Sequence, residues 1–365
     1  MSPGGLLRGP LWLTLGLALA CAQTPPPTAA NDGRYVMGTV LEIALYTPSR
    51  NDAHALLDQL FARSGQLERI SSRFHPESDL SRLNRRAGQG PQPVHPDLAR
   101  LLSAARDHAR LTQGSFDITV GPLVELWVEA AREGRRPDAA ALERARLRVG
   151  FERLRVDVEA TTAELLTPGM SVDLGGIAKG FALDELVIAL RRASVKSALL
   201  SFGQSSIHAL GSPPGEEGWR ILLRDASDGF AGVATLRDQA LSVSGSLGQS
   251  SLIGGRRYGH VIDPRSGEPL THRRVAAVTA ASGARAEALA KGLLILGEEE
   301  GIALLERLVD AEGLLIGAEG ARWATSGWAQ AVRFEPIPAR LPTSAPTPRA
   351  PERDQEHHVL TLGVR

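Results

Sequence analysis

Val172-Asp-Leu-Gly-Gly-Ile-Ala-Lys-Gly-Phe-Ala-Leu-Asp184 joins a short apolar run, expected as a strand over 170–174, to a helix expected from about Ile177 to Arg192. Two adjacent glycines at a strand-to-helix turn let a ligand come close to bare backbone. A helix N-terminus with a lysine in its first turns favours phosphate groups, because unsatisfied N–H groups and the helix dipole both face the anion. The generic P-loop is absent, since no Gly-Lys-Ser/Thr follows four free positions. The residues alone leave two readings open: an anion site, or a tight turn carrying a surface lysine.

Outward from this turn the chain alternates between two periodicities. Upstream, Arg34 to Tyr46 reads as a strand, with Val36, Val40, Ile43 and Leu45 in a β-rich run. Apolar residues at helical spacing then predict helices over 52–70, 97–111, 121–133 and 138–147, followed by strands over 153–158 and 162–166. Downstream, strands are expected over 197–202, 219–224, 232–237, 239–243, 258–262 and 274–280. Helices over 284–296 and 299–309 and closing strands over 313–317 and 321–325 complete the pattern. No internal repeat is present. Strands mixed with helices, at hairpin-like spacing late in the chain, predict an α+β or mixed α/β fold.

Two further segments carry polar groups in suggestive places. Thr112-Gln-Gly-Ser-Phe-Asp-Ile-Thr-Val-Gly-Pro122 breaks a helix at Gly114 and restarts one at Pro122, leaving Asp117 and Thr119 on a loop. That loop either presents polar groups to a ligand or only caps itself. Tyr258-Gly-His-Val-Ile-Asp-Pro-Arg-Ser-Gly267 brings His260 and Asp263 close together before a turn closed by Gly267. Imidazole is the side chain best matched to proton transfer near neutrality, although a lone histidine on a strand is more often structural. None of the nine histidines forms a metal-ligand pair at helical spacing.

Forty-one basic residues balance forty-one acidic ones, which removes the electrostatic case for a nucleic-acid partner. The single cysteine, Cys21, excludes an internal disulfide framework and a cysteine zinc site. It directly follows the ten-residue apolar run Leu11–Ala20, too short to span a bilayer but suited to a secretory signal. Ala18-Leu19-Ala20-Cys21 resembles a bacterial lipobox, and it also reads as an ordinary cleavage site that releases a soluble protein. The expectation is an exported lipoprotein facing the periplasm or outer cell surface, with residues 1–21 as signal and lipobox. Residues 22–33 read as a Pro- and Thr-rich tether, 34–335 as the folded body and 336–365 as a disordered tail.

Met37-Gly-Thr39, the stretch Ser71-Ser-Arg-Phe-His-Pro-Glu-Ser-Asp-Leu-Ser-Arg-Leu-Asn84 and the three segments above occur in one order. Together they resemble the FAD:protein FMN transferases, the ApbE family, over about residues 34–330. The resemblance implies a T-fold-related arrangement of mixed sheets with flanking helices. It implies an enzyme that cleaves FAD and transfers FMN, with Mg²⁺ assisting, to a Thr or Ser hydroxyl of a partner flavoprotein. FAD contacts would fall on Met37, Phe74, Ser115, Phe116, Asp117, Asp173, Lys179 and Val261. His260 would help deprotonate the acceptor hydroxyl, and the Gly176 carbonyl would coordinate the metal.

The chain departs from the family pattern at three places. The family's metal-binding Asp and Thr, one helical turn apart, are replaced by Glu287 and Lys291 in Ala284-Arg-Ala-Glu-Ala-Leu-Ala-Lys-Gly292. Its Gly-Gly-Asn is Gly203-Gln204-Ser205, and its Thr-Ser-Gly turn is Ser242-Val243-Ser244-Gly245. Glu287 and Lys291 read either as an i,i+4 ion pair on an exposed face or as an ammonium standing at the metal position with Glu287 orienting it. Besides the transferase, a flavin-binding relative without transfer and an FAD pyrophosphatase remain open at this point.

Overall fold

The computed structural model describes residues 28–227 and 229–337. Strands β1 (Thr28–Val36) and β2 (Thr39–Thr47) open it as a hairpin. Met37 and Gly38 form its turn with φ of 53° and 75°, the left-handed pair that a two-residue hairpin of this twist requires. Helices α1 (Arg50–Ser71) and α2 (Asp79–Arg85), strand β3 (Gln92–Pro93) and helices α3 (Pro96–Leu111), α4 (Gly121–Glu133) and α5 (Ala139–Arg146) follow. Next come β4 (Leu154–Asp157), β5 (Thr162–Leu165), α6 (Ala178–Arg192), β6 (Ser197–Phe202) and β7 (Ser206–Leu210). Strands β8 (Trp219–Arg224), β9 (Phe230–Leu236), β10 (Gln239–Gly245), β11 (Ser250–Ile253), β12 (Arg256–Gly259) and β13 (Val275–Ala280) precede the long helix α7 (Gly283–Glu306). The body closes with β14 (Ala311–Ile316), β15 (Arg322–Ala324), α8 (Trp328–Ala331) and β16 (Glu335–Pro336).

The frame is one eight-stranded sheet in the order β1-β2-β6-β7-β10-β13-β14-β15, with every neighbouring pair antiparallel. Period-two alternation gives each strand two apolar faces. Leu41, Ile43, Leu45, Leu200 and Phe202 face one core with the helices. Val278 and Leu315 meet Leu289, Leu293 and Leu294 of α7 in a second. On the opposite face Ile207, Leu241 and Leu314 pack against Leu223, Leu236 and Trp328. There the smaller sheet β16-β9-β8 is the cover. The α+β expectation with flanking helices agrees with this arrangement, in which the sheets are antiparallel throughout.

Several local expectations change. The strand expected over 170–174 does not form: Ser171 makes a single bridge to Val120. Its would-be ladder is taken over by Asn84, whose side chain accepts from Val172 N at 2.8 Å and donates to Val172 O at 3.0 Å. The two helices expected over 284–296 and 299–309 form as the two segments of α7. These meet at a kink where Gly297 is non-helical (φ 81°, ψ -161°), and the second ends at Glu306. Strand β12 ends at Gly259, so His260 lies just beyond it rather than on it. The tether also shortens. Residues 28–33 are strand, paired residue by residue with β2 from Thr28↔Thr47 to Gly33↔Glu42. Backbone ladders accept polar side chains, so composition there misled. At the other end Pro336 pairs with Gly232 and Ile337 N donates to Ala231 O at 2.9 Å. The signal and lipobox with Cys21, and the tail beyond 337, lie outside the described residues.

Candidate active site

Helices α6 and α7 start side by side, and their closeness sets the site. A methyl group on Gly180 would meet Gly283 O at 2.2 Å, and one on Gly283 would meet Gly180 O at 2.6 Å, so only glycines permit the approach. Asp184, one turn along α6, caps α7 by accepting from Gly283 N at 2.6 Å, Ala284 N at 3.1 Å and Ser282 Oγ at 2.7 Å. This crossing brings Lys179 and Lys291 to one cavity of about 710 Å³, lined also by Arg73, Phe116, Asp173, Gly176 and His260. A groove of about 790 Å³ on the other face, between β2 and β8, holds neither lysine nor histidine. Its charged groups are Asp32, Glu42, Arg220 and Arg224, and Arg220 is already paired with Glu335.

The glycine turn forms the floor. Asp173 Oδ1 accepts from Gly175 N at 2.8 Å, closing the turn, and its Oδ2 pairs with Arg73 Nε at 2.9 Å. The Arg73 guanidinium also lies 4.6 Å from the Phe74 ring. Helix α6 has Ile177 at its N-cap position and no side-chain cap, leaving its positive end to the cavity. Gly176 is wedged between Phe116 and Lys291: a methyl there would be 3.4 Å from Phe116 Cε2 and 3.9 Å from Lys291 Cε. Neither Lys179 nor Lys291 has a carboxylate within ion-pair distance among the described residues.

The wall opposite carries the histidine. Trp127 Nε1 donates to Gly267 O at 2.8 Å and its ring lies 5.0 Å from Tyr258, anchoring the segment on α4. His260 N donates to Gln249 O at 3.0 Å, and the same carbonyl lies 3.1 Å from Nδ1. A carbonyl only accepts, so Nδ1 carries the proton and Nε2 is left bare as a base. Partial desolvation at the rim lowers the imidazole pKa; the Gln249 contact opposes this, and Lys291 and Lys179 add to the lowering. Asp263 does not pair with His260. Its carboxylate is held by the Arg265 guanidinium at 3.0 Å.

Behind the cavity, Glu287 is buried and accepts a hydrogen bond from Ser206 Oγ. Its second oxygen, and the Ser242 Oγ across the β7–β10 pair, have no partner among the described residues. Glu287 is 1% exposed, so the reading of an exposed i,i+4 pair is wrong. Lys291 lines the cavity, and burial lowers its pKa to about 8 against the opposing pull of Glu287. Mg²⁺ requires about six oxygen donors in near-octahedral array. Waters and substrate phosphates can fill most of these places, and the position offers an unpartnered Glu287 oxygen and Ser242 Oγ. A helical turn on, however, it presents the Lys291 ammonium, which has no lone pair to give and repels a cation. This donor set does not fit the metal.

The family model for the ApbE family matches residues 37–315. The chain belongs to the ApbE family. It is 32% identical to the FAD:protein FMN transferase of Treponema pallidum over 317 residues, 82% of this chain and 87% of that protein. It is also 32% identical to the FAD:protein FMN transferase of Rhodobacter capsulatus, covering 87% of this chain but only 62% of that longer protein. Among solved structures, the flavin transferase ApbE from Vibrio cholerae superposes with a TM-score of 0.74 at 27% identity, over 84% of this chain and 99% of the other. The Pseudomonas stutzeri flavinyl transferase ApbE in apo form gives 0.74 at 26%, over 84% and 98%.

Within this ApbE fold the site residues expected from sequence divide into three groups. Phe116, Asp173, Gly176, Lys179, His260, Val261 and Lys291 line the cavity together. Ser115 and Asp117 border it but are internally committed. Ser115 Oγ donates to Thr112 O at 2.8 Å, and Asp117 accepts from Thr119 N, Thr119 Oγ1 and Phe151 N. Burial raises the Asp117 pKa to about 6, against these hydrogen bonds. Met37 and Phe74 do not line it. Met37 sits behind the turn beside Ala178 and Phe181, with its N–H on Glu68, and Phe74 is 71% exposed on the outer side of Arg73. Sequence reasoning overlooked Arg73 and Gln249. Arg73 lies within a quoted motif, but its contact with Asp173 spans a hundred residues, and Gln249 acts only through its backbone carbonyl.

Proposed function

We propose that this chain transfers FMN from FAD to a threonine or serine hydroxyl of a partner flavoprotein, forming a phosphoester and releasing AMP. The supporting observation is the cavity where an uncapped helix start with Lys179, a bare glycine turn and the free Nε2 of His260 converge. Phosphoryl transfer is governed by in-line positioning and charge neutralisation more than by covalent catalysis. Lys179 and the α6 start hold the pyrophosphate, and Phe116 with Val261 gives apolar surface to the aromatic rings. Asp173, braced by Arg73, fixes the turn and meets a polar edge of FAD. Nε2 of His260 takes the proton of the attacking hydroxyl. The lowered imidazole pKa keeps that nitrogen unprotonated at neutral pH. No step is routed through Mg²⁺, because the donor set does not suit it.

The direct test is to incubate the purified protein with FAD and a peptide bearing an acceptor threonine, with and without Mg²⁺, and weigh the peptide. A mass gain of one FMN moiety is expected. An unmodified peptide alongside free FMN and AMP points to hydrolysis instead. Export with acylation at Cys21 forms part of this reading, supported by the apolar run before that cysteine. It places the enzyme beside flavoproteins outside the cytoplasmic membrane. Mass spectrometry should find a lipidated N-terminus at Cys21, and Cys21→Ser should release the protein from membranes. An unmodified mature N-terminus would select the soluble form.

A further inference from the structure

Resting on FAD as the donor, we infer that the Lys291 ammonium is the fixed cation against which the pyrophosphate is bound and cleaved, in place of a divalent metal. Three observations meet at this residue. First, its Cε lies against Gly176, 3.9 Å from where a methyl there would stand, so the head group reaches the glycine turn from α7 while Lys179 reaches it from α6. Second, no carboxylate pairs with it among the described residues, so its charge is available to a ligand. Third, Glu287 sits one helical turn earlier, buried behind it, with one oxygen tied to Ser206 and the other unpartnered. Residues four apart share a helix face. The buried carboxylate therefore supports a positive charge at Lys291 without consuming it in a direct pair.

The charges match the ligand. A dinucleotide pyrophosphate carries one negative charge on each phosphate, and Lys179 and Lys291 supply one positive charge each. During transfer the acceptor oxygen forms a bond to the FMN phosphorus. The bond from that phosphorus to the bridging oxygen breaks, and AMP leaves with the electron pair on that oxygen. The hydroxyl proton passes to His260 Nε2. Lys291 holds the departing phosphate and donates a hydrogen bond to its growing charge, the role that preorganised cations fill at transferring phosphoryl groups. Lysine binds phosphate as a point charge, so no ordered ring of oxygen ligands is needed.

The test reads FAD affinity by titration calorimetry on the full chain, in EDTA and in millimolar Mg²⁺. Wild-type affinity should agree between the two buffers to within about threefold, Lys291→Met should weaken it about tenfold or more in EDTA, and Lys291→Arg should stay within about threefold of wild type. Melting temperatures near wild type establish that the variants fold. The double change Glu287→Asp with Lys291→Thr should create Mg²⁺ dependence, with FAD bound about tenfold or more tightly in Mg²⁺ than in EDTA. A wild-type protein that loses FAD in EDTA, a Lys291→Met variant with unchanged affinity, or a double variant indifferent to Mg²⁺ would each overturn the inference. Peptide flavinylation separates it from the functional reading. Transfer seen only with Mg²⁺ refutes the role of Lys291 and leaves the transferase standing. Lys291-dependent, metal-free FAD binding with no transfer in either buffer upholds Lys291 and refutes the transferase.

Discussion

Replacing Gly180 by alanine should disturb fold and site together, because α6 and α7 touch there through backbone alone. The added methyl would meet Gly283 O at 2.2 Å, Gly283 C at 2.4 Å and Ala284 N at 2.7 Å. Ordinary contact requires about 1 Å more, and backbone cannot swing aside as a side chain can, so the helices must part. Parting stretches the three Asp184 bonds that cap α7, now 2.6 to 3.1 Å long. Overpacking costs roughly 1–3 kcal/mol and a lost cap roughly 0.5–2 kcal/mol, against a gain of about 1 kcal/mol from alanine's helix propensity. The net expectation is a loss of about 2 kcal/mol. Lys179 adjoins Gly180, and Lys291 lies two turns along α7 from Gly283, so FAD affinity should fall as well. Urea denaturation followed by circular dichroism, with FAD titration of each variant, measures both. Gly65→Ala is the control: its methyl would meet only the end of the Arg69 side chain, at 3.5 Å, and stability should hold or rise. If Gly180→Ala loses less than about 0.5 kcal/mol and binds FAD unchanged, the crossing does not set the site.

Lys179→Ala should weaken FAD about tenfold or more while Arg191→Ala, at the far end of α6, leaves it unchanged; equal effects would remove Lys179 from the phosphate site. His260→Ala should lower transfer by about two to four orders of magnitude with little change in FAD affinity. Because the imidazole pKa is lowered, Nε2 stays unprotonated as pH falls. The acid limb of kcat/KM should therefore lie below the ordinary histidine value near 6.5; a midpoint at or above that value contradicts the assignment. Asp117→Asn keeps an acceptor for Thr119 but turns an amide N–H toward Phe151 N–H. Leaving that donor unsatisfied should cost about 1–3 kcal/mol in urea melts, and a neutral variant would show that the loop does not depend on the carboxylate.

The sequence by itself determined the periodic elements, the order of the motifs and the chemistry each could offer. Helical spacing of leucines placed α1, α3 and α4, and Ser197–Phe202 was legible as a strand, because burial on one or both faces leaves a local imprint. The glycine turn, Lys179 and His260 were legible through the ordered motifs that resemble the family, since alone each also read as a tight turn or a structural histidine. What only the tertiary structure decided involves pairs distant in the chain. Asn84 replaces a strand partner for Val172, Arg73 braces Asp173, and the Gln249 carbonyl sets the tautomer of His260. Thr28 to Gly33 has a tether's composition yet pairs along β2, since a ladder is made by backbone and not by side chains. Glu287 and Lys291, one turn apart, could be an exposed ion pair by sequence. The packing of α7 on the sheet instead buries Glu287 against Ser206, while the crossing at Gly180 and Gly283, which only residues without side chains allow, brings Lys291 to the glycine turn.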